Sequence, residues 1–271
     1  MDYFILFFFF IFFSVIGYLL GSVLLGVIIA KRKRINIRSI GSGNVGSTNM
    51  TRALGLKIGF ITFSWDCVKS WIAIAFATLI YSATKNIFVE KNTFIDNGYI
   101  VYAGGLFAVV GHCFPIKYVI TLFRNKFHFD FCKELKGGKG AATTAGFFMA
   151  LSPWIFIFTF VLFWVFLAIT RYVSVSSMCA IFFGFVFATI PNLNFMYMMD
   201  LGPDVTIVNV GNSVSNFTDP KINYQMFESY LYSNIVFTFF IFVLVTYMHK
   251  VNIKKLINGS ESKLGSKKNK K

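Results

Sequence analysis

Long apolar runs separated by short basic or glycine-rich stretches set the pattern of this chain. The runs are Tyr3 to Ala30, Ile58 to Tyr81, Tyr99 to Ile120, Ala141 to Leu151, Pro153 to Thr170, Val175 to Ile190 and Tyr230 to Met248. An α-helix needs about 20 apolar residues to cross the hydrocarbon of a bilayer, so this spacing predicts an all-α bundle of about seven transmembrane helices. The run Ala141 to Leu151 is too short to cross alone. With Ser152 and Pro153 at its end, it reads as a short or partly re-entrant helix turning into the next, an arrangement tolerated only where protein covers the irregular backbone.

Composition agrees. Of 271 residues 56% are hydrophobic and 14% charged, against roughly 45–50% and about 25% in soluble domains, which argues against a soluble enzyme. The remaining charge is lopsided, 26 Lys+Arg against 11 Asp+Glu. A nucleic-acid binder would share the excess but not the apolar content, so the implied partner is the lipid bilayer and not nucleic acid. The first run follows Asp2 and precedes Lys31-Arg32-Lys33-Arg34, the wrong flanks for a cleaved leader. By the positive-inside rule this places the N-terminus outside. Seven crossings then put 31–57, 117–139, Arg171 and 249–271 inside, with 22 of the 26 basic residues, and leave the C-terminus cytoplasmic. Five crossings would move a basic loop to the wrong side. The reading is one membrane domain, 1–258, followed by a basic cytoplasmic tail, 259–271.

Within the second run, Asp66 and Lys69 stand at i, i+3, where helical neighbours pair. Charges at such a depth face the bundle interior, as a mutual ion pair or as part of a substrate site. Cys67, Cys113, Cys132 and Cys179 are scattered, without metal-ligand spacing, and no cofactor is implied.

Three polar stretches fall on the same side. The first, Gly41-Ser42-Gly43-Asn44-Val45-Gly46-Ser47-Thr48-Asn49 with Arg52, contains a formal G-x-G-x-x-G, but it lacks the strand and βαβ unit of a dinucleotide site. Its physics survives: glycines such as Gly43 let backbone N–H groups approach an anion, Ser42, Asn44, Thr48 and Asn49 add donors, and Arg52 offers a fork suited to phosphate. The second, Lys136-Gly137-Gly138-Lys139-Gly140, precedes the short helix. Glycines around a lysine at a helix N-terminus favour an anion, though a flexible turn with snorkelling lysines fits equally. The third starts at His249, with Asn252 one turn on. Two glycine-rich cradles suit two phosphate-bearing partners. No Ser/His/Asp or Cys/His set points to covalent catalysis.

These stretches, together with Gly111-His112-Cys113-Phe114-Pro115, Arg171-Tyr172-Val173-Ser174 and His249-x-x-Asn252-Ile253, resemble the bacterial acyl-phosphate-dependent glycerol-3-phosphate acyltransferases, from the first helix to Gly259 and Glu261. The resemblance implies a seven-helix inner-membrane enzyme with its active site at the cytoplasmic face. Its substrates would be acyl phosphate and glycerol 3-phosphate, its products lysophosphatidic acid acylated at the 1-hydroxyl and inorganic phosphate. It also implies catalytic roles for Ser42, Arg52, Lys139, His249 and Asn252, and substrate binding by Gly43, Asn44, Thr48, Asn49, Gly137, Gly138, Gly140 and Ser174. In this assignment Lys139 and its glycine loop hold the acyl phosphate, Arg52 with Ser42 and Asn49 hold the glycerol phosphate, and His249 and Asn252 orient it. Either His249 or a substrate phosphate takes the hydroxyl proton.

The His-x4-Asp motif of acyl-CoA-type acyltransferases is missing, since Lys117, Lys133 and Lys254 stand five residues beyond His112, His128 and His249. The chain departs from the pattern in an insertion, 116–136, in a long outer stretch, 191–229, and in Ser47, Val251 and Lys255, where Ala, Glu and Arg are usual. A membrane transporter of phosphorylated anions is the alternative; such sites lie near the bilayer midplane on broken helices, whereas these motifs stand at one face. A lipid-binding scaffold has only the basic tail in its favour.

Overall fold

In a computed structural model of the protein, residues 2–88, 97–128, 132, 134–190 and 220–265 are described, and every regular element among them is a helix. In chain order the α-helices are α1 (Asp2–Gly21), α2 (Leu25–Arg32), α3 (Ser47–Leu54), α4 (Leu56–Phe88), α5 (Asn97–Cys113), α6 (Ile116–Arg124), α7 (Ala141–Leu151), α8 (Pro153–Thr170), α9 (Val173–Ala188), α10 (Pro220–Met248) and α11 (Lys250–Ile257), with a single 3-10 turn at Ile37–Ser39 between α2 and α3.

All seven apolar runs form helices, but two of them are not continuous. The first breaks at 22–24, where the Ser22 hydroxyl accepts the Ile116 N–H at 3.2 Å and the Gly21 carbonyl accepts from Lys69 Nζ at 3.0 Å. The third breaks at Phe114-Pro115 and turns by 63° into α6; proline has no N–H to continue the helical ladder. Among the described residues, four helices are long and apolar enough to cross a membrane, or five with the bent pair counted as one, while α7 and α9 are apolar but shorter. The short helix before Ser152 has the expected bounds: Ser152 is extended (φ −162°) and Pro153 opens α8. Residues 191–219 of the outer stretch lie outside the described residues, and α10 begins ten residues ahead of the expected Tyr230.

The core runs between α1, α4, α5, α7 and α10, through side chains such as Phe13, Val109, Phe147 and Ile241. Outward, α1 presents Phe4, Phe7 and Phe8 and α8 presents Trp154, Val161 and Trp164, a surface suited to hydrocarbon. Small residues set the closest approach. A Cβ on Gly17 would lie 1.9 Å from the Gly104 carbonyl oxygen, and one on Gly21 2.1 Å from that of Ala108, the small-xxx-small packing of membrane helices. Gly17→Val must push two backbones apart, so we expect a loss of about 1–3 kcal/mol, read as a lower Tm in detergent. Leu19→Ala, at an exposed position of the same helix, should leave Tm nearly unchanged.

Candidate active site

The polar stretch after α2 is folded around one side chain. Asn49 is 1% exposed; its amide oxygen accepts the Ser42 N–H at 3.1 Å, and its nitrogen donates to the Ile37 and Ile40 carbonyls at 3.1 and 2.9 Å. Both amide hydrogens are thereby used, so Asn49 shapes the loop and has no donor left for a ligand. Gly41 and Gly43 take the positive φ (58° and 70°) that carries the chain around it. The Gly43 N–H is itself bonded to the Ile40 carbonyl at 3.0 Å, so Gly43 serves the turn and offers no N–H to an anion. The stretch expected as loop then forms α3, whose first turn holds Ser47 and Thr48 and whose last turn holds Arg52.

The second stretch is braced in a similar way. The Gly137 and Gly138 N–H groups donate to the Cys113 and His112 carbonyls at 3.0 and 3.1 Å, two of the carbonyls that the C-terminus of α5 leaves unpaired. The expected anion cradle at these two glycines is therefore closed by the protein itself. Arg38 Nη2 donates to the Lys136 carbonyl at 2.5 Å and ties the first loop to the second. What stays open is the start of α7. Gly140 is left-handed (φ 89°), Ala141 and Ala142 face the cavity described below, and a first helical turn carries free N–H groups and the positive end of the dipole.

The third group is assembled at the α10–α11 corner. His249 is 2% exposed, with Nδ1 2.8 Å from the Val245 carbonyl, which assigns Nδ1–H as donor and leaves Nε2 an acceptor. Lys139 Nζ donates to Asn252 Oδ1 at 2.5 Å, and Asn252 Nδ2 donates to Glu261 Oε1 at 2.6 Å, which also accepts the Ser174 hydroxyl at 3.2 Å. The Leu264 N–H reaches the Arg171 carbonyl at 2.7 Å. The tail, up to Gly265, thus folds back onto the bundle, and the expected boundary at 258 cuts between Asn252 and the carboxylate that holds it.

All three groups enclose one cavity of about 110 Å³ at a meeting of helix ends. Ser42, Asn44, Thr48, Asn49, Arg52, Lys139, Gly140, Ser174, His249 and Asn252 border it; Gly43, Gly137 and Gly138 do not. Asp66, His112 and Glu261 border it too. The expected Asp66–Lys69 pair forms at 3.0 Å, but His112 joins it at 2.7 Å from Lys69 Nζ. In the sequence Arg38 reads only as a topology charge, and Glu261 only as the far end of the resemblance. In the sequence His112 stands out within the Gly111 to Pro115 motif without a role of its own. Burial lowers the Lys139 pKa to about 8, with Glu261 opposing and Lys255 and Arg52 adding to the effect. Burial and then the charge of Lys139 push His249 down to about 4, against the Val245 hydrogen bond. At neutral pH the cavity therefore has the cationic Lys139 beside the Arg52 guanidinium, a neutral imidazole acceptor and one helix N-terminus, an arrangement suited to phosphate oxygens that leaves an acceptor for a hydroxyl.

Residues 11–259 match the model of the family described as glycerol-3-phosphate acyltransferase. The chain is 40% identical over 258 residues to the glycerol-3-phosphate acyltransferase of Malacoplasma penetrans, with 93% of each chain covered. It is 36% identical over 173 residues to that of Aquifex aeolicus, covering 64% of this chain and 76% of the relative. It is also similar to the crystal structure of PlsY, an integral membrane glycerol 3-phosphate acyltransferase, in its glycerol 3-phosphate form, with a TM-score of 0.63, 29% identity, and 94% of this chain and 95% of that one covered. The apolar helices, the cavity at their ends and these likenesses converge: the chain belongs to the glycerol-3-phosphate acyltransferase family and is a multi-pass membrane acyltransferase.

Proposed function

We propose that the protein transfers a fatty acyl group from acyl phosphate to the sn-1 hydroxyl of glycerol 3-phosphate, giving 1-acyl-sn-glycerol 3-phosphate and inorganic phosphate, the first step of phospholipid synthesis. The observation that carries this reading is the convergence of Arg52 and Lys139, from separate loops, on one cavity beside the neutral His249. Lys139 and the first turn of α7 hold the phosphoryl group of the acyl donor. Arg52, Ser42, Asn44 and Thr48 hold the phosphate of glycerol 3-phosphate, and Ser174, Asn252 and His249 orient its hydroxyl. Asn49, Gly43, Gly137 and Gly138 keep the two loops in shape.

In the reaction the hydroxyl oxygen attacks the acyl carbon, the new ester bond forms, and the bond from that carbon to the phosphate oxygen breaks. The hydroxyl proton goes to a substrate phosphate. With a pKa of about 4, His249 is a weaker base than a phosphate monoester, whose second pKa is about 6, so the imidazole serves as an acceptor that aims the hydroxyl. Cations aimed at the departing phosphate in a dry site are worth about 3–4 kcal/mol each.

In the same reading the chain crosses the plasma membrane seven times, with its N-terminus outside and the cavity on the cytoplasmic side, where most of its basic residues lie. Purified protein mixed with palmitoyl phosphate and glycerol 3-phosphate should produce lysophosphatidic acid, and palmitoyl-CoA in place of the acyl phosphate should produce none. Absence of product in both detergent and lipid, or equal use of the CoA ester, would overturn the reading.

A further inference from the structure

The stretch 116–136, where the chain departs from the family pattern, builds a surface that acyl transfer does not use, and none of its residues borders the cavity. After the 63° turn at Phe114-Pro115, α6 carries Ile116, Ile120 and Phe123, and Phe127 follows just past its end. At this spacing the four side chains share one stripe of a 3.6-residue helix. Each is between 39 and 63% exposed. The Phe123 and Phe127 rings meet edge to face at 5.1 Å, which carries the stripe into the closing turn. That turn is tied down: Asn125 Nδ2 donates to the Thr121 carbonyl at 2.9 Å, and the Phe127 N–H to that of Leu122 at 2.9 Å. On the far side of the helix Tyr118 is buried, with its ring 5.7 Å from that of Phe114. One side of α6 therefore seats it on the bundle, and the other turns apolar side chains outward at the end of a membrane helix.

Charge decides what this stripe meets. Lys117 and Arg124 are both exposed and share a flank about 90° round from the stripe; Lys126 is exposed in the closing turn. Lys136 stands 5.9 Å over the Phe114 ring. Lys250, 4.2 Å over the Tyr247 ring, is within electrostatic reach of Tyr118. Among the described residues of 116–136 the one acid is Glu134, and its charge acts on Arg38. An apolar stripe beside a basic flank is the make-up of a helix lying in the membrane interface, apolar side among acyl chains and cations at the headgroups. Anionic headgroups, unlike zwitterionic ones, attract such cations by their net charge. We infer that α6 is an interfacial helix that docks on the anionic phospholipids of the bilayer. Ile116, Ile120, Phe123 and Phe127 enter the acyl-chain boundary, and Lys117, Arg124 and Lys126 meet the phosphates.

Photocrosslinking tests this at the surface itself. The full chain carrying Phe123→p-benzoylphenylalanine is reconstituted in vesicles of equal phosphatidylcholine and phosphatidylglycerol and irradiated, and its adducts are weighed by mass spectrometry. A basic residue near an anionic surface is worth about fivefold in binding, so adducts with phosphatidylglycerol should exceed those with phosphatidylcholine by about 5–25-fold. The same probe at Phe8, on the exposed side of α1, samples lipid away from α6 and should capture the two lipids about equally. Lys117→Gln combined with Arg124→Gln should bring the Phe123 ratio down to that of Phe8. Adducts only within the chain or with a second copy would show that protein covers the stripe, and would overturn the proposal. Failure to capture lipid at Phe123, or equal capture of both lipids there, overturns it as well. The same excess at Phe8 does so too, because the preference would then belong to the whole protein and not to α6.

Discussion

Replacing Lys139 by alanine will lower kcat/KM for acyl transfer by about 10²–10³-fold, the usual loss when one preorganised donor to a developing charge is removed. The lysine does more than supply charge. Its ammonium is held by Asn252 Oδ1, which Glu261 orients in turn from the returning tail, so the cation is aimed before substrate arrives. Its environment also sets a pH limit. Desolvation, with the nearby Lys255 and Arg52 adding to it and Glu261 opposing, brings the pKa to about 8. The ammonium is thus present below that pH and lost above it. In the free enzyme kcat/KM should fall tenfold per pH unit on the alkaline side of about 8, since that ratio reports free-enzyme ionisations. Lys139→Arg, whose guanidinium stays charged, should retain part of the activity and lose this alkaline limb. A limb that persists in Lys139→Arg would assign it to another group. The sign for stability is separate: the native state disfavours the charged form relative to the unfolded chain, so this group's destabilising effect is full below pH 8 and fades as pH rises toward the ordinary lysine value.

How far the sequence discloses this arrangement depends on whether each feature has a local cause. The bounds of α7 and α8 are legible because Gly140, Ser152 and Pro153 mark them chemically. The break after Gly21 is not. It lies within an apolar run marked only by the Gly21-Ser22 pair, and it is fixed by Lys69 and by the backbone of Ile116, partners that no local pattern reveals. The helix α3 is hard to read for a different reason: it is short and mostly polar, with an apolar face of only Met50, Ala53 and Leu54, and it is held by burial of that face and by Asn49 bonding to the preceding loop. Most of the residues expected at the site do border the cavity, yet which of their groups are turned toward it is not legible in the sequence. Asn49, Gly137 and Gly138 have the composition of an anion cradle, but their hydrogen-bonding groups are turned inward onto carbonyls at Ile37, Ile40, Cys113 and His112. Glu261 carries the reverse lesson. It lies in a stretch that reads as solvated tail, and it reaches the cavity because Leu264 ties that stretch to Arg171.

The inward turn of the glycine loop makes the second large effect predictable. Gly137→Ala should abolish measurable acyl transfer, a loss of at least about 10²-fold, because its Cβ would lie 1.7 Å from the His112 carbonyl oxygen and 2.9 Å from that of Cys113. Both obstacles are backbone at the end of α5 and cannot rotate away as a side chain can. The loop must therefore lift, breaking the bonds by which the Gly137 and Gly138 N–H groups hold it and leaving the two carbonyls buried without partners. Lys139 then moves with the loop, and displacement of a positioned group by about 1 Å is enough to cost about 10²-fold in rate. Had the glycine instead acted by offering its N–H to the acyl phosphate, alanine, which keeps that N–H, would leave kcat intact and change KM alone. Measuring kcat and KM for both substrates in Gly137→Ala, with Gly259→Ala as a control, separates the two. Gly259 has open space around its Cβ position and a positive φ of 64°, so its variant strains the backbone without touching the loop and should keep most of the activity. A variant of Gly137 that keeps wild-type kcat would show that the loop reaches substrate through its backbone N–H groups and not through the placement of Lys139.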